Sequence, residues 1–293
     1  MEEKEIAGKT DVQASDMESA AEIKPESAAE DAGMSFWGHL EALRWTLFRM
    51  LAALMACVVA SFIAMPYIFD SFILAPTGSS FFLYRFFASL GSKVPFLPDF
   101  SDTGFSVDII NINVASQFMT HISTSFWLAL VMAFPYIIYE IWKFVRPALF
   151  PKEVRNMRMA FVFGTLMFYL GCTIGYSIVF PFTFRFLVEY QISEHIVNQI
   201  NLSSYINNFL MMIFVMGIVF ELPLLAWLMS RLGIIDREFL ITYRKYAVVV
   251  LLVLAAIITP SGDPFTLAVV FLPLYFLYEL SVRLVRPAGG SGE

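Results

Sequence analysis

A carboxylate, Glu221, interrupts Met211–Leu228, a run that is otherwise entirely apolar. At bilayer depth an ionised acid costs roughly 2.5–3.5 kcal/mol on insertion scales, so such a group faces a cavity, an ion or a partner. Two readings fit it: an interhelical hydrogen bond made by the protonated acid, or a functional acid open to a cavity. Pro223, two residues on, weakens the helix and frees backbone carbonyls nearby. Glu153 also admits two readings. It follows Pro147 and Pro151, and Pro151 suits the first turn of a helix. In that turn the helix dipole favours an acid by about 0.3–1 kcal/mol; alternatively, a proline-stiffened loop holds the acid ready for a cation from outside. Glu41 and Arg44 stand three apart where Phe36, Leu40, Leu43 and Leu47 recur at helical spacing. Such a pair is worth about 0.2–0.5 kcal/mol, and Trp37 and Trp45 suit an interfacial anchor. Glu140 and Glu279 fall at predicted cytoplasmic span ends and read as simple interfacial residues, and Asp263 reads as a turn residue.

Signatures of catalysis do not occur in the sequence: no His-Glu-x-x-His, no Gly-x-Ser-x-Gly, no phosphate-binding Gly-rich loop and no Cys-x-x-Cys. His39, His121 and His195 are scattered, and Cys57 and Cys172 match no metal-ligand spacing. The expectation is a non-enzymatic protein without cofactor, metal or nucleic-acid partner.

The elements that must position these residues are membrane helices. The chain is 58% hydrophobic, with 31 Phe among 293 residues and a mean hydropathy of +0.70, and several stretches approach the roughly 20 apolar residues a crossing needs. Six spans are predicted near 45–68, 117–140, 159–181, 205–229, 243–259 and 264–285. The fifth is short, and Pro260 to Asp263 turn it tightly into the sixth. Residues 1–33 carry ten acids against three lysines and too little apolar surface to fold alone, so they read as a disordered acidic cytoplasmic tail. Without a basic segment followed by an apolar one they do not read as a secretory signal. Residues 34–286 form the six-helix transmembrane domain and 287–293 a flexible tail. Thirteen Lys and Arg fall on the side of the termini, against Arg85, Lys93 and Arg185 opposite, which predicts both termini cytoplasmic. The long first outer connection contains Phe81 to Phe87, read as a short helix lying on the outer interface.

The motifs in order resemble the TatC family, the multispanning subunit of the twin-arginine protein translocase, over about residues 35–285. His39-Leu40-Glu41-Ala42-Leu43-Arg44 is similar to the family's opening motif. Phe134-Pro135, then Trp142, Phe144, Pro147-Ala148-Leu149 and Glu153, resemble its first cytoplasmic loop. Phe220-Glu221-x-Pro223 matches the fourth span, Arg244-Lys245-Tyr246 the start of the fifth, and Thr259-Pro260 to Asp263 with Pro273, Leu277-Tyr278-Glu279 the final hairpin. The resemblance implies an all-α polytopic membrane protein in the bacterial inner membrane: six transmembrane helices in a glove-shaped bundle, exporting folded proteins with proton-motive force. It implies a receptor for twin-arginine signal peptides, with Glu153 as principal carboxylate, Phe144 beside it, and Arg44 and Glu41 contributing. Ala42 holds the position of the family's usual acid, and Glu41 stands one residue earlier, about 100° away on a helix. Glu221, Pro76 and Asp263 are implied for the cavity or for partners, which would be TatA/TatB-type single-span proteins, other TatC copies and membrane lipid. A proton-coupled small-solute transporter titrating Glu221 is the alternative from a different class.

Overall fold

Five helices among the described residues are long and apolar enough to cross a membrane: Leu40–Thr77, Ser116–Phe144, Phe161–Glu189, Leu202–Arg231 and Pro264–Leu284. The computed structural model describes residues 36–79, 81–85, 107–145, 154–193, 195, 198–231, 233–259 and 262–285. The acidic tail 1–33, the segment 287–293 and most of the first outer connection lie outside them. By compactness the chain divides into two units, Met1–Leu47 and Phe48–Glu293.

Helix α1 covers Phe36–Ile68 and runs on into a π-helical turn, Phe69–Ile73, and a 3-10 turn, Ala75–Thr77. Helix α2 is Ser116–Val145 and α3 is Val154–Ile174. A second π-helical turn, Gly175–Val179, joins α3 to α4, Phe180–Glu189. The third crossing therefore continues beyond its predicted end at Pro181. The fourth crossing is divided into α5, Leu202–Val219, and α6, Leu222–Arg231. A short α7, Arg237–Thr242, leads into α8, Arg244–Ile258, and α9, Pro264–Leu284, completes the fold. At 15 residues α8 reaches only about 22 Å at 1.5 Å per residue, short of a hydrocarbon core of roughly 30 Å.

Prolines determine where these helices deviate. Each removes an N–H and leaves the carbonyl four residues back without its helical donor. Pro66 frees the Phe62 carbonyl, which instead accepts from His121 Nε2 at 2.9 Å. Pro135 frees the Val131 carbonyl, which accepts from the Tyr169 hydroxyl at 3.4 Å. Pro181 crowds the Ser177 carbonyl, and the helix widens there into the π turn. In the first two cases a neighbouring helix supplies the missing donor, so each kink is also a crosslink.

Small residues set how closely α3 and α5 approach. A Cβ on Gly171 would lie 2.6 Å from the Met216 carbonyl oxygen, and one on Gly217 would lie 2.7 Å from Cys172 Sγ. Backbones this close gain dispersion contacts in a medium where burial from water offers no driving force between helices. Around that seam Phe180, Phe184, Tyr205 and Phe209 form edge-on and stacked aromatic pairs. The Tyr205 hydroxyl, deep in this cluster, donates to the Ile73 carbonyl at 2.6 Å.

The side bearing the α1–α2 and α4–α5 connections departs from pure helix. Strand β1, Ile109–Ile110, pairs in parallel with β2, Ile200–Asn201, so that Ile109 faces Ile200 and Ile110 faces Asn201. Extended chain at a helix end has backbone groups to satisfy, and pairing two such segments does so locally. Residues 82–85 are helical, as expected, but not as a helix lying on the interface. Phe81, Leu83 and Tyr84 are buried, packed against Tyr176 and Phe182, while Phe82 and Arg85 are exposed.

Candidate functional site

Several acids lie within the long apolar helices of the second unit, and the fold treats Glu140, Glu279 and Glu221 differently. Glu140, on α2, was read as a simple interfacial residue. It is in fact 2% exposed and receives Arg49 Nε of α1 at 2.9 Å, with the Tyr136 hydroxyl donating to its other oxygen at 3.2 Å. Glu279, on α9, accepts from Arg244 at the start of α8 at 3.0 Å. Each pair ties two consecutive helices, α1 to α2 and α8 to α9. Glu221 has no such partner among the described residues.

Glu221 occupies the break between α5 and α6. Pro223 cannot donate into the helix, and the Glu221 N–H bonds three residues back to the Ile218 carbonyl at 3.0 Å, which tightens the turn. The side chain is buried, at 8% exposure, and Oε1 has no hydrogen-bond partner among the described residues. What makes room for it is Gly164 of α3. A methyl group there would lie 3.2 Å from Oε2, 3.5 Å from Oε1 and 2.6 Å from Leu224 Cδ2. The interhelical hydrogen bond that competed as a reading of Glu221 is therefore absent among the described residues. A buried acid left without a donor is an acceptor in wait for one.

The other candidate residues separate into distinct places. Phe144 is half-buried one residue from the end of α2. Glu153 and the proline-rich segment 146–153 before α3 lie outside the described residues. Glu41 and Arg44 are exposed on the part of α1 that belongs to the first unit. Pro76 is buried in the 3-10 turn after α1, and its carbonyl accepts from the Tyr84 hydroxyl at 3.0 Å. Burial raises the Tyr84 phenol above the ordinary tyrosine range. Asp263 does more than occupy a turn: it caps α9, accepting from the Thr266 N–H at 2.8 Å.

Arg185 was legible only as a basic residue on the less basic side. In the fold it is 3% exposed, pairs with Glu189 at 2.6 Å and lies 5.5 Å over the Tyr84 ring. The i,i+4 spacing to Glu189 was a visible signal, but its burial depended on the 81–85 segment folding over it. Among the described residues no group of three His, Cys, Asp or Glu gathers to hold a metal ion.

The profile of the family described as Sec-independent protein translocase protein (TatC) matches residues 38–273. The Sec-independent protein translocase protein TatC of Blattabacterium sp. subsp. Periplaneta americana (strain BPLAN) is 36% identical over 253 residues, covering 86% of this chain and 94% of its own length. The protein of the same description from Carboxydothermus hydrogenoformans is 30% identical over 269 residues, covering 90% of this chain and 99% of its own. In three dimensions the chain is similar to a crystal structure of the twin arginine translocase receptor TatC, with a TM-score of 0.65, 27% identity and coverage of 84% and 97%. A second crystal structure of that receptor, in DDM, gives a TM-score of 0.66 at 26% identity, with coverage of 85% and 99%.

Proposed function

Because the chain belongs to the TatC family of Sec-independent protein translocase proteins, we propose that it is the signal-peptide receptor and core subunit of a twin-arginine translocase. In this reading it exports folded proteins across the bacterial inner membrane with proton-motive force. The observation that carries the proposal is the likeness to a solved twin-arginine translocase receptor over 84% of the chain at 27% identity. Six spans cross, the short α8 being the fifth, and both termini lie in the cytoplasm, as the distribution of Lys and Arg favours.

The paired arginines of the signal peptide dock on Glu153. A planar guanidinium meets a carboxylate through two parallel hydrogen bonds, a geometry that a lysine ammonium cannot reproduce. Phe144, at the end of α2, offers an aromatic face to the second guanidinium. Glu41 and Arg44 contribute from the amino-terminal helix. Glu221 is a contact for partners or for the seated peptide: its burial and unpartnered Oε1 support a role in accepting a donor from another chain. TatA/TatB-type single-span proteins and further TatC copies pack on the bundle, and Pro76 and Asp263 keep the connections opposite the docking face in shape.

The test is co-purification of this chain with a signal peptide bearing Arg-Arg or Lys-Lys. Glu153→Ala is expected to abolish crosslinking of the Arg-Arg peptide while insertion of the protein is unchanged. Normal crosslinking in that variant removes Glu153 from the role. Solute flux into vesicles containing this chain alone, lost in Glu221→Gln, would favour the transporter reading.

A further inference from the structure

Two cavities lie side by side where the first span ends and the second begins. One, of about 390 Å³, is lined by Asp70, Gln117, Thr120 and His121 among apolar neighbours. The other, of about 430 Å³, is almost wholly apolar, with Trp127, Leu128, Val131, Phe209 and Ile213 in its walls. Ile68 and Phe69, consecutive in the chain, line one each. So do Thr120 and Thr124, one helical turn apart and linked by a 2.7 Å hydrogen bond. Both volumes fall within the range of small-molecule sites, roughly 300–1,000 Å³.

We propose that this pair of cavities binds one phosphatidylethanolamine molecule, its headgroup in the polar cavity and an acyl chain in the apolar one. The polar cavity carries a carboxylate, Asp70, and no Lys or Arg among the described residues of its lining, so it favours the ammonium end of a headgroup. His121 is held in place from two sides. Its ring stacks on Phe62 with centroids 4.0 Å apart, and Nε2 bonds the Phe62 carbonyl that Pro66 leaves without a helical donor. A carbonyl only accepts, so Nε2 carries hydrogen and Nδ1 is the ring atom left for a ligand. Gln117 and Thr120 stand in the opening turns of α2, where the positive end of the helix dipole suits the phosphate. A zwitterion with N–H donors satisfies all of these at once. An anionic headgroup without an ammonium meets the Asp70 carboxylate unopposed. The inference rests on the membrane-spanning character of the chain and is independent of the signal-peptide reading.

The experiment uses the full chain with Trp37, Trp45, Trp142 and Trp227 replaced by Phe, so that Trp127 in the apolar cavity is the only indole. The delipidated protein is titrated in mixed micelles with phosphatidylethanolamine or phosphatidylglycerol brominated mid-chain, and quenching is followed. Phosphatidylethanolamine is expected to quench Trp127 at a roughly fivefold lower mole fraction, the ratio a partly exposed ion pair sustains. Asp70→Asn should bring the two lipids together. Equal quenching by both, none by either, or a preference that survives in Asp70→Asn overturns the proposal. So does quenching that an added twin-arginine peptide relieves, which would assign the crevice to peptide. If Asp70→Asn fails to fold, Gln117→Leu serves as the second variant: it should raise the mole fraction needed for both lipids, because Gln117 lies at the phosphate that both carry, and unchanged quenching by phosphatidylethanolamine overturns the proposal.

Discussion

Replacing Gly171 by Ala tests whether the α3–α5 seam is fixed by main-chain contact. On an exposed helix face the exchange would favour folding by up to about 1 kcal/mol, because alanine is the better helix former. Here the added Cβ would lie 2.6 Å from the Met216 carbonyl oxygen and 2.8 Å from Phe220 Cβ, about 0.8 Å inside the 3.4 Å at which ordinary contact begins. A backbone oxygen cannot rotate away as a side-chain tip can, so the two helices must part. Overpacking of this kind costs roughly 1–3 kcal/mol. Parting also weakens the neighbouring contacts at Gly175 and Gly217, because a gap of 0.5–1 Å already forfeits about a quarter to a half of each dispersion well. The net expectation is a loss of about 1–2 kcal/mol, read as a Tm lowered by several degrees in detergent. Two comparisons share the assay. Gly164→Ala meets chiefly Leu224 Cδ2, a movable side-chain end, and should cost less. Gly38→Ala meets nothing within 4 Å and should be neutral or slightly stabilising. A Gly171→Ala protein as stable as the parent would refute the reasoning.

Other outcomes follow from the same contacts. Arg49→Ala leaves the buried Glu140 carboxylate without its cation and should destabilise by about 2–3 kcal/mol, below the full buried-pair range because Arg49 is partly exposed. Adding Glu140→Gln should recover most of that loss, and a double variant no more stable than Arg49→Ala would count against the pair. Tyr205→Phe leaves the Ile73 carbonyl unserved in the aromatic core and should cost about 1–3 kcal/mol, measured by thermal unfolding; an unchanged Tm would show that the 2.6 Å bond contributes little. Glu221→Gln should leave stability within about 0.5 kcal/mol, since no partner among the described residues is lost, while altering crosslinks to single-span partners. Unchanged crosslinks would remove Glu221 from partner contact.

Much of this protein is fixed by local chemistry and so was open to reading along the chain. Apolar runs marked where the five long apolar helices lie, because a helix in lipid must satisfy its own backbone. The third was the exception: Pro181 suggested an end where the helix instead widened into a π turn and went on to Glu189. Pro223 marked the break beside Glu221, and the spacing of motifs along residues 35–285 was enough to suggest the family to which the chain belongs. Which acids are paired was a different kind of question. Along the chain Glu140 reads as an interfacial acid and Glu221 as a buried one, yet Glu140 is paired with Arg49, 91 positions away, and Glu221 Oε1 has no hydrogen-bond partner among the described residues. The burial of Arg185 likewise depends on Tyr84, about a hundred residues earlier, folding back over it. Hydropathy, prolines and capping residues act on near neighbours, so sequence alone determined the helices, their kinks and the membrane setting. Partnership between charges is decided by which helices touch and how closely, and only the tertiary structure showed that Glu221 Oε1 has no partner among the described residues.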